Sequence, residues 1–236
     1  MPRYLQFHRE SSHTRARLFF TPRTAGREVR PPAHKDYQAE TLSLPQVKPP
    51  KLHLEEAVLK RRSVREYSPQ PLTLEELARL LFFGIGVTGP AEYKRAAPTA
   101  GGLTPLELYP VVNNVEGLER GLYHYDPLEH RLHLLRPADL RREIVRACLE
   151  QDFLADAAAV IVLTAAHSRT AWKYGERAYR YILLDAGHAA ENIQLESTAL
   201  GLGSCPIGAF FDDELNRLLG LAEEEEFAVL AIAVGR

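Results

Sequence analysis

The chain has 236 residues, 45% of them apolar, and a formal net charge of −2. This length and composition predict a globular protein with one sizeable core. The near balance of 29 basic and 31 acidic residues excludes an extended basic surface, so general nucleic-acid binding is not expected. No apolar run is long enough to cross a bilayer, and residues 1–10 lack the apolar core of a signal peptide, so we expect a cytoplasmic protein.

Residues 1–50 hold scattered Arg, His and Pro without sustained periodicity. We interpret them as an extended N-terminal arm that lies over the body or over a partner subunit, and residues 51–236 as a single domain. The two cysteines, Cys148 and Cys205, are too few for a disulfide framework or a structural zinc site.

Two helices are predicted after the arm. The first begins at Leu54 and ends at a cluster of arginines. The second begins after Thr73, and Glu76, three residues later, completes a capping box. Gly84 is predicted to end this helix. Its buried face is supplied by Leu74, Leu77, Leu80 and Leu81.

Short apolar runs at residues 106–112, 122–125 and 132–135 are separated by Asn-Asn and Asp-Pro turn signals. They predict antiparallel strands. A helix over residues 137–149 precedes a continuously apolar run at 158–164. That run predicts a strand covered on both faces, which would be central in its sheet.

The longest predicted helix spans residues 177–200 and is apolar nearly all round, so we expect it to be buried or to form a subunit contact. A short helix over residues 212–219 and a strand over 227–234 complete the predicted elements. Helices and strands mix without strict alternation, which is typical of an α+β fold.

The sequence Arg61-Arg62-Ser63-Val64-Arg65 places three arginines and a serine where the first helix gives way to a loop. Guanidinium donors fit phosphate in a bidentate way, and Ser adds a hydroxyl group. Arginines in a last helical turn also satisfy free carbonyl groups and the helix dipole, which would explain Arg61 or Arg62. Arg65 lies past the helix, so a small anion such as phosphate stays open as an alternative.

Residues 84–89, Gly-Ile-Gly-Val-Thr-Gly, match the dinucleotide-binding fingerprint letter for letter. That fingerprint requires a strand before it and a helix after it. Here a capped helix precedes it and Pro90 follows. We therefore interpret these glycines as a helix end and a turn.

Two further loops are rich in small residues. The first, residues 98–105, would let the backbone approach a flat ligand, although alone it also fits an ordinary surface turn. The second, residues 201–210, follows the long helix and has the same character. Cys205 lies in this second loop, and we interpret it as pocket lining.

A polar stripe on the long helix could in principle ligate a metal. Without a matching His or Cys pair elsewhere, a hydrogen-bond network or an interface stripe is the preferred interpretation, and no metal is expected. The stripe consists of Asp185, His188, Glu191 and Asn192.

Lys173 and Tyr174 stand side by side in a polar stretch before the long helix. Such a pair can act as acid and base when one member faces a low-dielectric pocket. As isolated residues, they also fit an amphipathic surface position.

In this order, the arginine cluster, residues 98–102 and residues 201–210 resemble the nitroreductase family of FMN flavoproteins, over most of the chain from about residue 50. More narrowly, KYGERAYRY at 173–181 and LDAGH at 184–188, followed by GLG, look like the SagB-type dehydrogenases. Phe-His-Arg-Glu at residues 7–10 is similar to the start of such proteins. The resemblance implies a central, mostly antiparallel sheet flanked by helices, and a swapped homodimer with two FMN sites at its interface.

The resemblance also implies roles for individual residues. Arg61 and Ser63 would hold the FMN phosphate, Arg62 would support the same loop, and Arg65 would reach the pyrimidine edge of the ring, where a cation stabilises the reduced flavin. The other implied cofactor-binding residues are Pro98, Thr99, Ala100 and Gly101 along the isoalloxazine, Pro206, Ile207, Gly208 and Ala209 near its N5 atom, and Arg236 as a further phosphate ligand.

The leading hypothesis for function follows from the same subgroup, whose members oxidise peptide thiazolines and oxazolines to aromatic azoles. A substrate carbon would give hydride to flavin N5 while Lys173 or Tyr174 removes the neighbouring proton. An NAD(P)H-dependent nitroreductase or quinone reductase is the alternative. A third hypothesis is a flavin-binding accessory subunit that docks in a peptide-modifying complex without turnover.

Overall fold

The computed structural model describes residues 3–12, 31–48 and 52–236. The helices are α1 (Arg3–Glu10), α2 (Leu54–Lys60), α3 (Leu74–Ile85), α4 (Arg141–Ala147), α5 (Phe153–Asp156), α6 (Ser168–Tyr174), α7 (Ala178–Ala199) and α8 (Asp212–Leu219). Short 3-10 turns lie at Ala100–Gly102 and Gly175–Arg177. The strands are β1 (Glu40–Ser43), β2 (Leu106–Val112), β3 (Gly121–Asp126), β4 (Arg131–Pro137), β5 (Ala159–Ala166), β6 (Gly203–Ile207) and β7 (Glu226–Gly235).

These strands form one sheet in the order β1-β4-β3-β2-β5-β7-β6. Every neighbouring pair is antiparallel. All eight residues of β5 are buried, as predicted for a strand covered on both faces. One buried cluster joins the sheet to α3 and α7, and a second joins it to α4 and α8. The predicted α+β fold, an antiparallel sheet flanked by helices, is confirmed.

The packing of α3 against α7 explains one wrong boundary. Gly84 was predicted to end α3, but the helix continues to Ile85, and Gly86 caps it. A Cβ atom at Gly84 would lie 3.1 Å from Ile193 of α7 and 3.2 Å from Leu108 of β2. The glycine therefore allows close approach between helix and sheet, and Gly86, two residues later, begins the loop.

Near the candidate site, the structure differs from the predicted elements at one loop, and it contains a helix in a stretch that the sequence analysis left unassigned. Residues 203–207, predicted as loop, form the edge strand β6, where Pro206 is tolerated because an edge strand leaves one row of backbone groups unpaired. The polar stretch before the long helix contains α6. The helix predicted over residues 137–149 is shorter, Arg141–Ala147, because Pro137 still belongs to β4.

The described parts of the N-terminal segment contain α1 and β1, neither of which the sequence analysis assigned. β1 pairs with β4 and is the sheet's other edge strand. Lys35 forms a buried ion pair with Glu226 of β7, and Tyr37 hydrogen-bonds Tyr109 of β2 at 2.8 Å. Residues 31–48 thus pack on the sheet, while the division of the chain at residue 50 stays a prediction. Among all described helices, none combines the length and apolarity that a membrane crossing needs.

The predicted capping box is present: the Thr73 hydroxyl accepts the Glu76 N–H at 3.2 Å, and Glu76 accepts the Thr73 N–H at 2.8 Å. We expect Thr73→Ala to lower the free energy of unfolding by about 1 kcal/mol, because one helix-end N–H loses its acceptor. Urea unfolding measures this. Ser168→Ala is the matched control, since Ser168 is exposed at the start of α6, where no side chain caps the helix. An equal loss in both variants would contradict the capping role.

Candidate active site

The arginine loop, residues 61–65, follows α2 and lies beside the start of β6. Val64 donates its backbone N–H to the Ser204 carbonyl at 2.9 Å, and Ser63 bridges to Ser204. A Cβ atom at Gly203 would lie only 2.7 Å from a Val64 methyl group. Glycine at position 203 therefore lets the arginine loop approach the strand closely.

The polar side chains of this loop fall into two groups: some donate hydrogen bonds to the protein, and others do not. Arg61 donates to the Gln194 side-chain oxygen at 3.3 Å and lies 3.5 Å from a Glu191 oxygen, both on α7. Arg62 donates to the carbonyls of Leu59 and Arg61. Ser63 and Arg65 are exposed, and within the described part of the chain neither side chain makes a hydrogen bond. Their donors are therefore available to an anion.

The chain end lies beside the arginine loop, but the Arg236 side chain turns elsewhere. Its backbone carbonyl accepts the Ser68 N–H, which places it next to this loop. The guanidinium pairs with Glu76 and donates to the Pro71 carbonyl at 3.2 Å. Arg236 would have to leave Glu76 to bind a phosphate, and its role as a phosphate ligand stays a prediction.

The glycine loop, residues 98–105, meets the two candidate catalytic side chains. Gly101 has φ +62°, and a Cβ atom on it would lie 2.5 Å from the Tyr174 hydroxyl oxygen and 2.9 Å from Lys173 Nζ. The Lys173 ammonium lies 5.2 Å from the centre of the Tyr174 ring. Both side chains come from the last turn of α6. The structure thus brings three of the predicted site residues together.

The glycine loop is also hydrogen-bonded to α7. Asp185 is buried, and its carboxylate accepts the Ala100 N–H at 3.0 Å. Burial raises the pKa of Asp185, and the Ala100 N–H, the Thr99 hydroxyl and nearby His188 partly offset that rise. This contact was missed because Asp185 was considered only as part of a polar stripe. No local sequence pattern set Asp185 apart from the other polar residues of this helix.

Three buried polar side chains, Arg169, Glu107 and His124, form a connected group next to the glycine loop. Arg169 of α6 pairs with Glu107 of β2 at 2.6 Å and donates to the Thr104 carbonyl at 3.2 Å. Glu107 also bonds His124 Nε2 at 2.8 Å. Burial alone would raise the pKa of Glu107, but the His124 hydrogen bond and the Arg169 charge together hold it below its usual value. No local sequence pattern predicted this group, because its members come from three separate elements.

α1 packs beside the same region. Tyr174 meets Tyr181 edge to face, with ring centres 4.8 Å apart. Arg177 donates to the Tyr181 hydroxyl at 3.1 Å and to the Ser11 carbonyl at 3.0 Å, just past the end of α1. The N-terminal segment therefore contacts the residues that flank Tyr174.

The remaining predicted ligands lie at the end of β6. Ile207 pairs with Ala231 and is buried in the second core cluster, so only its backbone can face a ligand. Pro206 is half-buried, and Gly208 and Ala209 are exposed. The Ala209 carbonyl accepts from the Gln151 side chain at 3.2 Å.

The arginine loop and the glycine loop contact α7 on opposite sides. Arg61 bonds Gln194, whereas Ala100 bonds Asp185. Nine residues separate these two positions, which corresponds to about 13.5 Å along a helix and a rotation of about 180° around it. One protomer therefore does not place both loops on the same side of α7.

The residues of the polar stripe on α7 do not all share one environment. Asp185 is buried, while His188 and Glu191 are exposed, and Asn192 donates to the carbonyls of Phe83 and Ala96. Across residues 3–12, 31–48 and 52–236, no group of three His, Cys, Asp or Glu side chains is arranged to hold a metal ion. Cys205 is buried beside the arginine loop, and burial raises the pKa of its thiol.

Comparison with known proteins gives a family. The profile of the Nitroreductase family matches residues 58–236. "Putative nitroreductase MJ1384" of Methanocaldococcus jannaschii is 40% identical over 195 residues, which cover 83% of this chain and 96% of that protein. A structure described as a nitroreductase of Ralstonia eutropha is 30% identical with a TM-score of 0.72, covering 86% and 92% of the two chains. Another, from Anabaena variabilis, is 36% identical with a TM-score of 0.71, and the present chain spans only 42% of it.

Three more distant similarities concern a trifolitoxin-processing protein, a microcin synthetase complex and a nitroreductase structure that contains FMN. The trifolitoxin-processing protein TfxB of Rhizobium leguminosarum is 26% identical over 71% of this chain, which spans 48% of TfxB. The E. coli microcin synthetase McbBCD complex contains a chain with a TM-score of 0.64 at 17% identity, which shows the fold alone. A Desulfovibrio desulfuricans structure in complex with FMN likewise shares the fold at 18% identity and a TM-score of 0.56. With the profile match over residues 58–236 and the relative at 40% identity, the chain belongs to the Nitroreductase family.

Proposed function

We propose that this protein is an FMN-dependent dehydrogenase of the SagB type that oxidises thiazoline- or oxazoline-like substrates. The observation that carries this proposal is the convergence of Lys173 and Tyr174 on Gly101 in the glycine loop. The similarity to a trifolitoxin-processing protein supports a peptide-derived substrate. Family membership supports the cofactor, because a related fold holds FMN.

The described residues fit FMN at its phosphate end. Ser63 and Arg65 are exposed with unused donors, and Arg61 projects from the same loop. We assign the phosphate to Arg61 and Ser63, and the ring edge to Arg65. Charge-assisted, bidentate hydrogen bonds make arginine well suited to this task.

The described residues also fit the flat ring. Thr99, Ala100 and Gly101 carry small side chains or none, so the backbone of the glycine loop can pack along an isoalloxazine. The exposed backbone at Gly208 and Ala209 can approach from β6. Bound FMN supplies the atom that accepts hydride from the substrate.

We further propose that the flavin site is shared between two copies of the chain. The exposed face of α7 lies between the sides that carry Asp185 and Gln194, and it includes the apolar Leu183 and Leu184. α2, which contacts α7, exposes Leu54, Val58 and Leu59. Such a patch is typical of an interface. In a twofold dimer that pairs α7 antiparallel with its copy, the Asp185 end of one helix lies opposite the Gln194 end of the other. The glycine loop of one protomer can then complete the arginine loop of its partner.

The Lys173–Tyr174 pair acts in this proposal as the base. Either Lys173 Nζ or Tyr174 Oη takes the proton from the substrate atom next to the carbon that loses hydride. Gly101 has no side chain between these groups and the proposed ring position. Proton removal and hydride loss together remove two electrons and form the new double bond of the azole.

An NAD(P)H-dependent nitroreductase is the second candidate, and the names of the 40% identical relative and of the Ralstonia eutropha and Anabaena variabilis structures favour it. In that case the Lys173–Tyr174 pair is dispensable for flavin reduction by NADPH. Rapid reduction of the bound flavin by NADPH, with no oxidation of a thiazoline peptide, would replace the dehydrogenase proposal by this one. An accessory subunit would bind FMN and catalyse neither reaction.

The assignment of Arg61 to the phosphate predicts weaker cofactor binding after its removal. Arg61→Ala should raise the Kd for FMN roughly 10- to 100-fold, because a charge-assisted hydrogen bond contributes about 1.5–3 kcal/mol. Quenching of FMN fluorescence on titration measures this. Lys60→Ala is the control, since Lys60 is exposed and paired with Glu56 on α2. Equal Kd values for both variants would overturn the assignment.

The shared site predicts that dimerisation and FMN binding are lost together. Leu184→Asp places a charge on the exposed face of α7, so we expect monomers by light scattering and a Kd for FMN at least 10-fold higher. Leu149→Asp is the control, because Leu149 is also exposed but lies after α4. A monomeric Leu184→Asp variant with wild-type FMN affinity would show that one protomer suffices.

The base assignment predicts a specific loss of turnover. Lys173→Ala or Tyr174→Phe should lower kcat for oxidation of a thiazoline-bearing peptide roughly 10²- to 10⁴-fold, the usual contribution of a positioned base. Lys94→Ala, another exposed lysine, should leave kcat unchanged. Wild-type kcat in both site variants would show that another group takes the proton.

A further inference from the structure

The glycine loop adopts a conformation that needs external support. Gly101 and Gly102 have φ of +62° and +68°, and Thr104, which is not a glycine, has φ +48°. A left-handed backbone at a threonine costs free energy and persists only where surrounding contacts hold it.

A chain of buried hydrogen bonds crosses the loop. The Asp185 carboxylate accepts the Ala100 N–H at 3.0 Å and the Thr99 hydroxyl. The Thr99 oxygen accepts the Thr104 N–H at 3.1 Å, and the Thr104 carbonyl accepts from Arg169 at 3.2 Å. The loop is thus fixed at one end by α7 and at the other by α6.

The charged residues that hold the two ends of the glycine loop differ in their own partners. Arg169 has a buried counter-ion, Glu107, 2.6 Å away. Asp185 is 4% exposed, and no ion pair is present at its carboxylate within the described residues, so its hydrogen bonds go to the loop. Burying a carboxylate is costly unless hydrogen bonds compensate. Releasing the loop would leave Asp185 uncompensated, which ties the loop to α7.

We propose that Asp185 is a positioning residue, which fixes the glycine loop so that Gly101 stays against Lys173 and Tyr174. Asp185 acts through Ala100 and Thr99, because the carboxylate faces their donors. Its consequence for catalysis rests on the proposed function, whereas its effect on the loop does not. Residues that preorganise a site in this way hold its functional groups within about 0.5 Å of their working geometry.

Hydrogen–deuterium exchange of the peptide that covers residues 98–105 tests the proposal in the full-length protein without FMN. Asp185→Ala should speed exchange of this peptide at least 10-fold, because Ala100 loses its acceptor. Asp185→Asn keeps one oxygen acceptor and should give an increase between 2- and 10-fold. Glu196→Gln is the matched control: Glu196 is another buried carboxylate of α7, paired with Arg79 and distant in sequence from the loop contacts. It should leave the peptide's exchange unchanged.

Unchanged exchange in Asp185→Ala, or equal acceleration in Glu196→Gln, would overturn the proposal. Should Asp185→Ala fail to fold, Asp185→Asn decides: an increase of at least 2-fold supports the positioning role and a smaller one overturns it.

A second measurement uses the protein with FMN added. Asp185→Asn should change the visible circular dichroism of bound FMN and should raise the Kd for FMN by less than the 10-fold expected for Leu184→Asp, because the loosened glycine loop packs less well along the ring while the arginine loop is intact. Glu196→Gln should change neither. A loss of FMN affinity with unchanged loop exchange would contradict a role in positioning. Wild-type protein that binds no FMN would refute the proposed function and leave the exchange result as the deciding measurement for Asp185.

Discussion

The structure depends on how closely α7 packs against the sheet and α3. Its inward face is built from small and branched side chains, all buried: Ile182, Ala186, Ala189, Ala190 and Ile193. Opposite Ile193, Gly84 removes a side chain that would otherwise hold the two helices apart. This close packing fixes the helix axis, and the helix in turn fixes both candidate loops, through Asp185 and through Gln194. The two loops therefore owe their relative position to one rigid element.

Buried charges form a second framework across the sheet. Glu107, His124 and Arg169 form one group, and Lys35 and Glu226 form another, with Thr164 also bonded to Glu226. Such pairs cost desolvation energy and are retained only when their partners are well placed. The glutamate of Lys35–Glu226 lies on the sheet and the lysine on residues 31–48. This part of the N-terminal segment is thereby an integral cover of the sheet, in addition to supplying the edge strand β1.

Patterns that are local in sequence were predicted well. The capping box at Thr73 and Glu76 needs only four residues, and β5 is marked by a continuous apolar run. β6 escaped prediction because Gly-Ser-Cys-Pro has low strand propensity and becomes a strand only through pairing with β7. The contact between Gly101 and Tyr174 followed from no local pattern at all. The family resemblance predicted which residues belong to the site. The contacts of Asp185 and Arg169 with the glycine loop could be found only once the fold was known.

The two ends of the proposed flavin site are held by different physical means. Besides its hydrogen bond to α7, the arginine loop is held by backbone packing, because a side chain at Gly203 would displace Val64. Just past this loop, a side chain at Gly235 would displace Tyr67 in the same way. The glycine loop is placed by hydrogen bonds to buried charged residues of α6 and α7. Steric packing resists displacement whatever the charge state, whereas hydrogen bonds to a buried carboxylate depend on its electrostatic surroundings. The proposed phosphate end is thus held by close packing, while the environment of the proposed ring position is governed by a small number of buried polar contacts.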